Sequence, residues 1–205
     1  MKKLVCLLAV IALAASASAA IDVIKNGVFQ SPWTAGSWTV GTAEDGTPAA
    51  TGVFSSWAST GATGTVTLAG NEYLEFDAYF NDSSAGRRME AMHFEVNGDG
   101  GWSYKWQQNC DTWVDGVLYT GFDQWAAPAD TWVHVKVDLK DNCAPLQGPI
   151  PIPLNLYTDN IGLIRLHPHW PNATNVSISN MAFTPEPATI ALLGLGGLAL
   201  IRRKR

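Results

Sequence analysis

Residues 131–139 read TWVHVKVDL, and the fold is decided by how this stretch alternates. Trp132, His134, Lys136 and Asp138 fall on one side of an extended chain, and Val133, Val135, Val137 and Leu139 on the other. Successive side chains of a strand point to opposite faces, so the pattern is that of a half-buried antiparallel strand with one face on a core. Working outward, Glu72–Phe80 alternates as well, with Tyr73, Phe76 and Tyr79 among polar partners, and the Asn81–Ser84 turn closes it. Met89–Val96 places Glu90, Met92, Phe94 and Val96 on its more apolar face. Further strands are predicted over Ile21–Phe29, Trp33–Val40, Thr65–Leu68, Trp102–Gln107, Val117–Phe122, Ile161–Leu166 and Asn175–Phe183, whereas Gly41–Gly52 and the prolines at 145, 149, 151 and 153 predict loops. No segment between the two ends carries a period of 3.6. About nine to eleven short strands separated by turn signals predict an all-β domain, a two-sheet antiparallel β-sandwich.

The two ends follow other rules. Lys2 and Lys3 precede the apolar run Leu4–Ala15, and Ser16–Ala20 is a small-residue stretch with Ala17 and Ala19 at the minus three and minus one positions. This is the pattern of a signal peptide over residues 1–19, removed by signal peptidase, and Cys6 leaves with it. At the other end, residues 184–205 read TPEPATIALLGLGGLALIRRKR. The triplet Pro185, Glu186, Pro187 is followed by an apolar run over residues 188–201 and then by Arg202, Arg203, Lys204 and Arg205. Fourteen residues give roughly 21 Å of helix, short for a hydrocarbon core of about 30 Å. The basic cluster is expected to stay on the cytoplasmic side, leaving Glu186 and the domain before it outside. The segment resembles the PEP-CTERM sorting signal of Gram-negative envelope and exopolysaccharide-associated proteins. That resemblance implies recognition of the triplet by an exosortase, a membrane-embedded cysteine transpeptidase-like enzyme, with removal of the tail. The predicted location is the envelope or extracellular space, after initial anchoring in the inner membrane by a helix over 188–201.

Between the ends lies a domain of residues 20–183. It holds 7 basic residues against 17 of the chain's 18 acids, a net charge near −10 where the whole chain has −5. Such a surface repels a phosphate backbone, so nucleic acid is excluded as a partner. Cys110 and Cys143 form one pair in an exported chain, and a disulfide between them is expected; closing a loop of about 33 residues would contribute roughly 3–4 kcal/mol.

The strand order of the domain also resembles a jelly roll of the galactose-binding or carbohydrate-module type. The resemblance rests on Asn26, Gly27 and Phe29 in the opening strand, on TWVHVKVDL, and on Val176, Ile178, Asn180 and Met181 in the closing strand. Such modules usually carry Asp at the closing position, where this chain has Asn180.

All nine tryptophans lie in this domain. Trp102, Trp106, Trp113, Trp125 and Trp170 fall at or near predicted turns, where a flat indole can stack on a sugar ring while neighbouring Asn, Gln and Asp take the hydroxyls. They are the candidate ligand-binding residues, for an exopolysaccharide. Trp132, on the polar register of its strand, is expected either to cover the core edge or to lie on a concave sheet. Asn97 and Asp99, in the turn NGDGG, are candidate oxygen ligands for Ca²⁺, although the same five residues make a good hairpin turn. His167 and His169 match no zinc signature. No catalytic residue is assigned: there is no G-x-S-x-G or H-E-x-x-H, and Glu72 with Glu75, like Glu90 with Glu95, are separated by odd numbers and point to opposite faces. The chain is therefore expected not to be an enzyme. The opposing class to a polysaccharide binder is a structural envelope protein without a small ligand; a glycoside hydrolase comes after both.

Overall fold

The computed structural model describes residues 19–54, 60–80, 93–98, 101–106, 111–119, 130–139, 160–167 and 174–186. Within them the chain forms β1 (Ile21–Lys25), β2 (Val28–Phe29), β3 (Thr39–Thr42), β4 (Pro48–Phe54), β5 (Thr60–Thr67), β6 (Tyr73–Phe80), β7 (His93–Gly98), β8 (Gly101–Trp106), β9 (Thr112–Val114), β10 (Val117–Tyr119), β11 (Thr131–Asp138), β12 (Asn160–His167) and β13 (Thr174–Thr184). They make two antiparallel sheets. The larger has nine strands, in the order β10-β9-β11-β6-β13-β1-β2, with β4 also paired to β13 and β3 to β4; the smaller is β5-β12-β7-β8. This is the all-β, two-sheet architecture that the alternation predicts.

The core lies between the sheets. Val133, Val135, Val137 and Leu139, the apolar register of the quoted stretch, are all buried, and they pack with Leu74, Phe76 and Phe80 of β6, Val176, Ile178 and Phe183 of β13, and Ile161 and Ile164 of β12. Trp33 and Trp38 join this core rather than forming strand or surface. Trp33 lies 6.3 Å from the ring of Phe183 and fits because residue 64 is glycine: a Cβ there would come within 2.7 Å of the indole.

The expected loop over Gly41–Gly52 is largely ladder instead. Pro48–Phe54 pairs with β13 from Phe54↔Thr174 to Ala50↔Ile178, and Ala49 and Ala50 are fully buried. Small side chains and glycines signal a turn by composition, but here they are what lets β4 approach its neighbours closely. A Cβ on Gly27, whose φ is +74°, would lie 2.3 Å from the Ala49 backbone nitrogen, so only glycine fits.

The disulfide expected between Cys110 and Cys143 finds no support: no disulfide is found among the described residues, and both cysteines lie outside them. A bridge needs Cα atoms about 4.4–6.8 Å apart, a distance that neither a cysteine count nor export specifies. The described sandwich is closed by ladders and apolar packing.

β13 organises the large sheet. One edge pairs with β6 along both halves of the strand, and the other pairs first with β4 and then with β1. The change of partner falls at an irregularity between Ile178 and Met181. There the Asn26-Gly27 turn fills the gap: Gly27 N–H donates to the Ser179 carbonyl (2.7 Å) and Asn26 N–H to the Asn180 side-chain oxygen (3.1 Å).

Candidate functional site

The register that buries the valines of β11 sends its polar residues to the outer face of the nine-stranded sheet. His134 stands opposite Asp77 and Lys136 opposite Glu75, because β11 and β6 pair without interruption from Thr131↔Phe80 to Asp138↔Tyr73. Asn180, Ala182 and Thr184 of β13 lie on the other side of β6. Glu75, Asp77, His134, Asn180 and Thr184, with Asp22 and Lys25 of β1, line an open pocket of about 270 Å³ floored by Ile24, Phe76 and Met181.

The polar atoms there form one connected network. His134 Nδ1 is 2.8 Å from Asp77 Oδ1, and its Nε2 is 3.6 Å from Glu75 Oε2. Lys136 Nζ reaches Glu75 Oε1 at 3.2 Å while standing 3.8 Å over the Tyr73 ring, and the Thr184 hydroxyl donates to the same carboxylate oxygen at 2.8 Å. Asn180 Nδ2 donates to Asp77 Oδ2 at 2.9 Å, which ties the network to the Asn26 turn through its other amide atom.

These contacts set the charges. The Asp77 carboxylate, then Glu75, raises the His134 imidazole from its usual 6.5 to about 9 against the opposing effect of burial. The imidazolium, followed by Thr184 and Lys136, lowers Glu75 to about 2, and Asp77 is lowered chiefly by its bond to His134. At neutral pH the network is therefore an imidazolium and an ammonium held between two carboxylates.

Aromatic rings border it on both sides. Trp113 of β9, opposite Lys136, meets Tyr73 edge-on at 6.2 Å. At the other end Trp132 packs on Tyr79 at 5.4 Å, and its indole nitrogen donates to Asp45 Oδ2 at 2.7 Å. Trp132 thus covers a small outer cluster of Ala43, Ala49 and Tyr79.

The residues singled out from sequence that are described fall on different sheets. Of the five candidate tryptophans, Trp113 borders the network, half-buried; Trp102 and Trp106 lie in β8 of the other sheet, opposite Asn97 and His93; Trp125 and Trp170 lie outside the described residues. Asn97 sits in β7, with Gly98 opposite Gly101, so NGDGG joins a hairpin; Asp99 lies outside the described residues. No group of three or more His, Cys, Asp or Glu able to hold a metal occurs among the described residues. Glu75, Asp77, His134, Lys136 and Asn180 were not assigned to a common site from sequence. Their signal was present, as Glu75 and Asp77 share one face of β6 and His134 and Lys136 one face of β11, but the pairing of strands 57 residues apart was not.

The pH dependence of stability follows from these shifts. A raised imidazole stabilises the fold below 6.5 and loses that effect as pH rises toward 9; a lowered carboxylate stabilises above 4.5 and loses it as pH falls toward 2. The network therefore contributes most between about pH 4.5 and 6.5. With the His134 side chain 49% exposed and screened, the contribution is of the order of 1 kcal/mol. His134→Gln should lower the thermal midpoint at pH 5.5 and leave it nearly unchanged at pH 9.5; an equal drop at both would show that the imidazolium charge is not involved.

Beyond the end of β13, Pro185 and Glu186 follow outside the ladder, half-buried; Pro187, the apolar run and Arg202, Arg203, Lys204 and Arg205 lie outside the described residues. No helix among the described residues is long and apolar enough to cross a membrane, and the helix expected over 188–201 lies outside them. No curated protein matches the sequence. Residues 183–205 match the PEP-CTERM protein-sorting motif, which supports export and sorting with an exosortase as partner, and the match begins inside β13 at Phe183.

Proposed function

We propose that this chain is an exported cell-envelope or extracellular-matrix protein, anchored first in the inner membrane and sorted by an exosortase, whose sandwich binds polysaccharide without acting on it. The outer face of the nine-stranded sheet carries the binding half of this proposal: carboxylates, an ammonium, an amide and a hydroxyl surround one open pocket, and Trp113 and Tyr73 flank the Lys136–Glu75 pair on the same face. Sugar hydroxyls donate to carboxylates and accept from amides and ammonium groups, and an aromatic border supplies an apolar platform for a ring. The two-sheet sandwich is compatible with a carbohydrate module of the galactose-binding type.

The electrostatics favour binding over catalysis. General acid–base chemistry needs one group holding a proton and another free to take one near the working pH. Here His134 keeps its proton to about pH 9, and Glu75 is ionised down to about 2. Neither is poised to exchange a proton at neutral pH. The proposal calls on no metal or cofactor. A structural envelope role is the second reading, favoured by the pairing of these charges with one another.

Retention of the purified exported protein on a column of the producing cell's own exopolysaccharide tests the binding half. Trp113→Ala with Lys136→Ala should weaken retention roughly tenfold, as expected for losing one stacked ring and one charged donor. Equal retention of wild type and the double variant would remove the outer face from consideration, and no retention of either would leave the structural role.

A further inference from the structure

The sorting triplet is joined to the folded core with no intervening linker. Ala182 lies between Asp22 and Glu75, and Phe183 between Ile21 and Leu74, each held by a strand on either side. Thr184 stands opposite Tyr73; its carbonyl accepts the Glu72 N–H at 2.9 Å and its hydroxyl donates to Glu75 at 2.8 Å. Phe183 is fully buried. Pro185, which has no N–H to give to a ladder, follows at once.

An enzyme that processes a peptide holds it extended in a cleft, gripping the backbone on both sides of the recognised residues. The walls of such a cleft need the space beside the peptide, and neighbouring strands lie only about 4.8 Å away on each side. At Phe183 that space is filled by β1 and β6. On the other side of the triplet, Thr184 is four residues from Ala188, where the apolar run starts, a reach of at most about 14 Å. The sandwich is therefore held close to whatever surface receives the tail.

We propose that the end of β13 is a latch: the triplet becomes accessible to the exosortase only when Phe183 and Thr184 leave the ladder and the Thr184–Glu75 bond opens, so that local opening of the folded domain sets the rate of sorting. This rests on the exosortase-substrate role above. Strand ends open locally at far lower cost than the whole domain, which makes such a step available to a native protein. Glu75 also ties the latch to the outer-face network, because the same carboxylate oxygen accepts from Thr184 and lies 3.2 Å from Lys136.

The test follows tail removal by pulse-labelling the full-length chain in cells containing a matching exosortase. Three chains are compared: wild type, Thr184→Val, and a variant with eight Gly and Ser residues inserted between Thr184 and Pro185. The insertion should speed processing several-fold with an unchanged thermal midpoint of the domain. Thr184→Val should speed it roughly tenfold or less, the effect of one hydrogen bond to a charged group on an opening equilibrium. Equal rates for wild type and the insertion variant would overturn the latch, since access would not be limiting. Slower processing of the insertion variant would also overturn it, by showing that the folded end of β13 is part of what the enzyme recognises. No processing of any of the three would overturn the exosortase-substrate role itself, and the latch with it.

Discussion

Replacing Phe183 by alanine is expected to lower the unfolding free energy by about 3–5 kcal/mol, the range for removing a fully buried phenylalanine and leaving a cavity. The side chain is completely enclosed, packs with the core cluster, and lies 6.3 Å from the Trp33 ring. Its backbone is in register with Ile21 on one side and Leu74 on the other, so the strand has little freedom to collapse into the space. Domains of this size are stable by roughly 0.05–0.15 kcal/mol per residue, so the loss is a large part of the total. Urea unfolding should show a lower midpoint with an unchanged slope. Phe183→Leu, which keeps most of the volume, should cost less than about 1.5 kcal/mol. A loss below about 1 kcal/mol for Phe183→Ala would mean that the packing between β13 and Trp33 is not what holds this end of the sandwich.

The second large effect is expected at the tail. In cells with a matching exosortase the wild-type chain should lose the segment after the triplet, about 2 kDa of its 22.0 kDa. In cells lacking the enzyme the tail should remain and the protein fractionate with the inner membrane. Pro185 and Pro187 disfavour helix at Thr184 and Glu186, each of which precedes a proline, so the triplet favours an extended backbone. Glu186→Ala or Pro187→Ala should leave insertion unchanged and abolish processing. Neutral residues in place of Arg202, Arg203, Lys204 and Arg205 should impair retention first, because four charges are costly to move across the membrane. Intact-mass measurement decides the point: a chain ending at Arg205 in exosortase-containing cells would refute processing, and soluble export of the unprocessed chain would refute anchoring.

The strands that were legible in the sequence are those with one buried face. TWVHVKVDL is strand over Thr131–Asp138 with its three valines and the following Leu139 buried, and the closing strand expected over Asn175–Phe183 is Thr174–Thr184. β4 was not legible, because Pro48, Ala49, Ala50 and Gly52 carry no β-branched or aromatic pattern; they are strand because β13 is there to pair with. Trp33 and Trp38, expected in a strand over Trp33–Val40, precede β3 and are buried in the core. The outer-face network is not legible in the sequence for a related reason. Glu75 has Glu72 as its acidic neighbour in the chain, while its partners in space are His134, Lys136 and Thr184.

What the chain determined by itself is therefore local: period-two alternation, which follows from the geometry of a single extended strand, and the order of proline, apolar and basic residues at the tail, a motif read along the chain. Which strands became neighbours was decided by the tertiary structure alone. Pairing β6 with both β11 and β13 depends on burying both apolar faces in one core at once, a collective condition that no segment carries separately. That choice placed His134 on Asp77, hung Thr184 on Glu75, and set the sorting triplet directly against a closed strand.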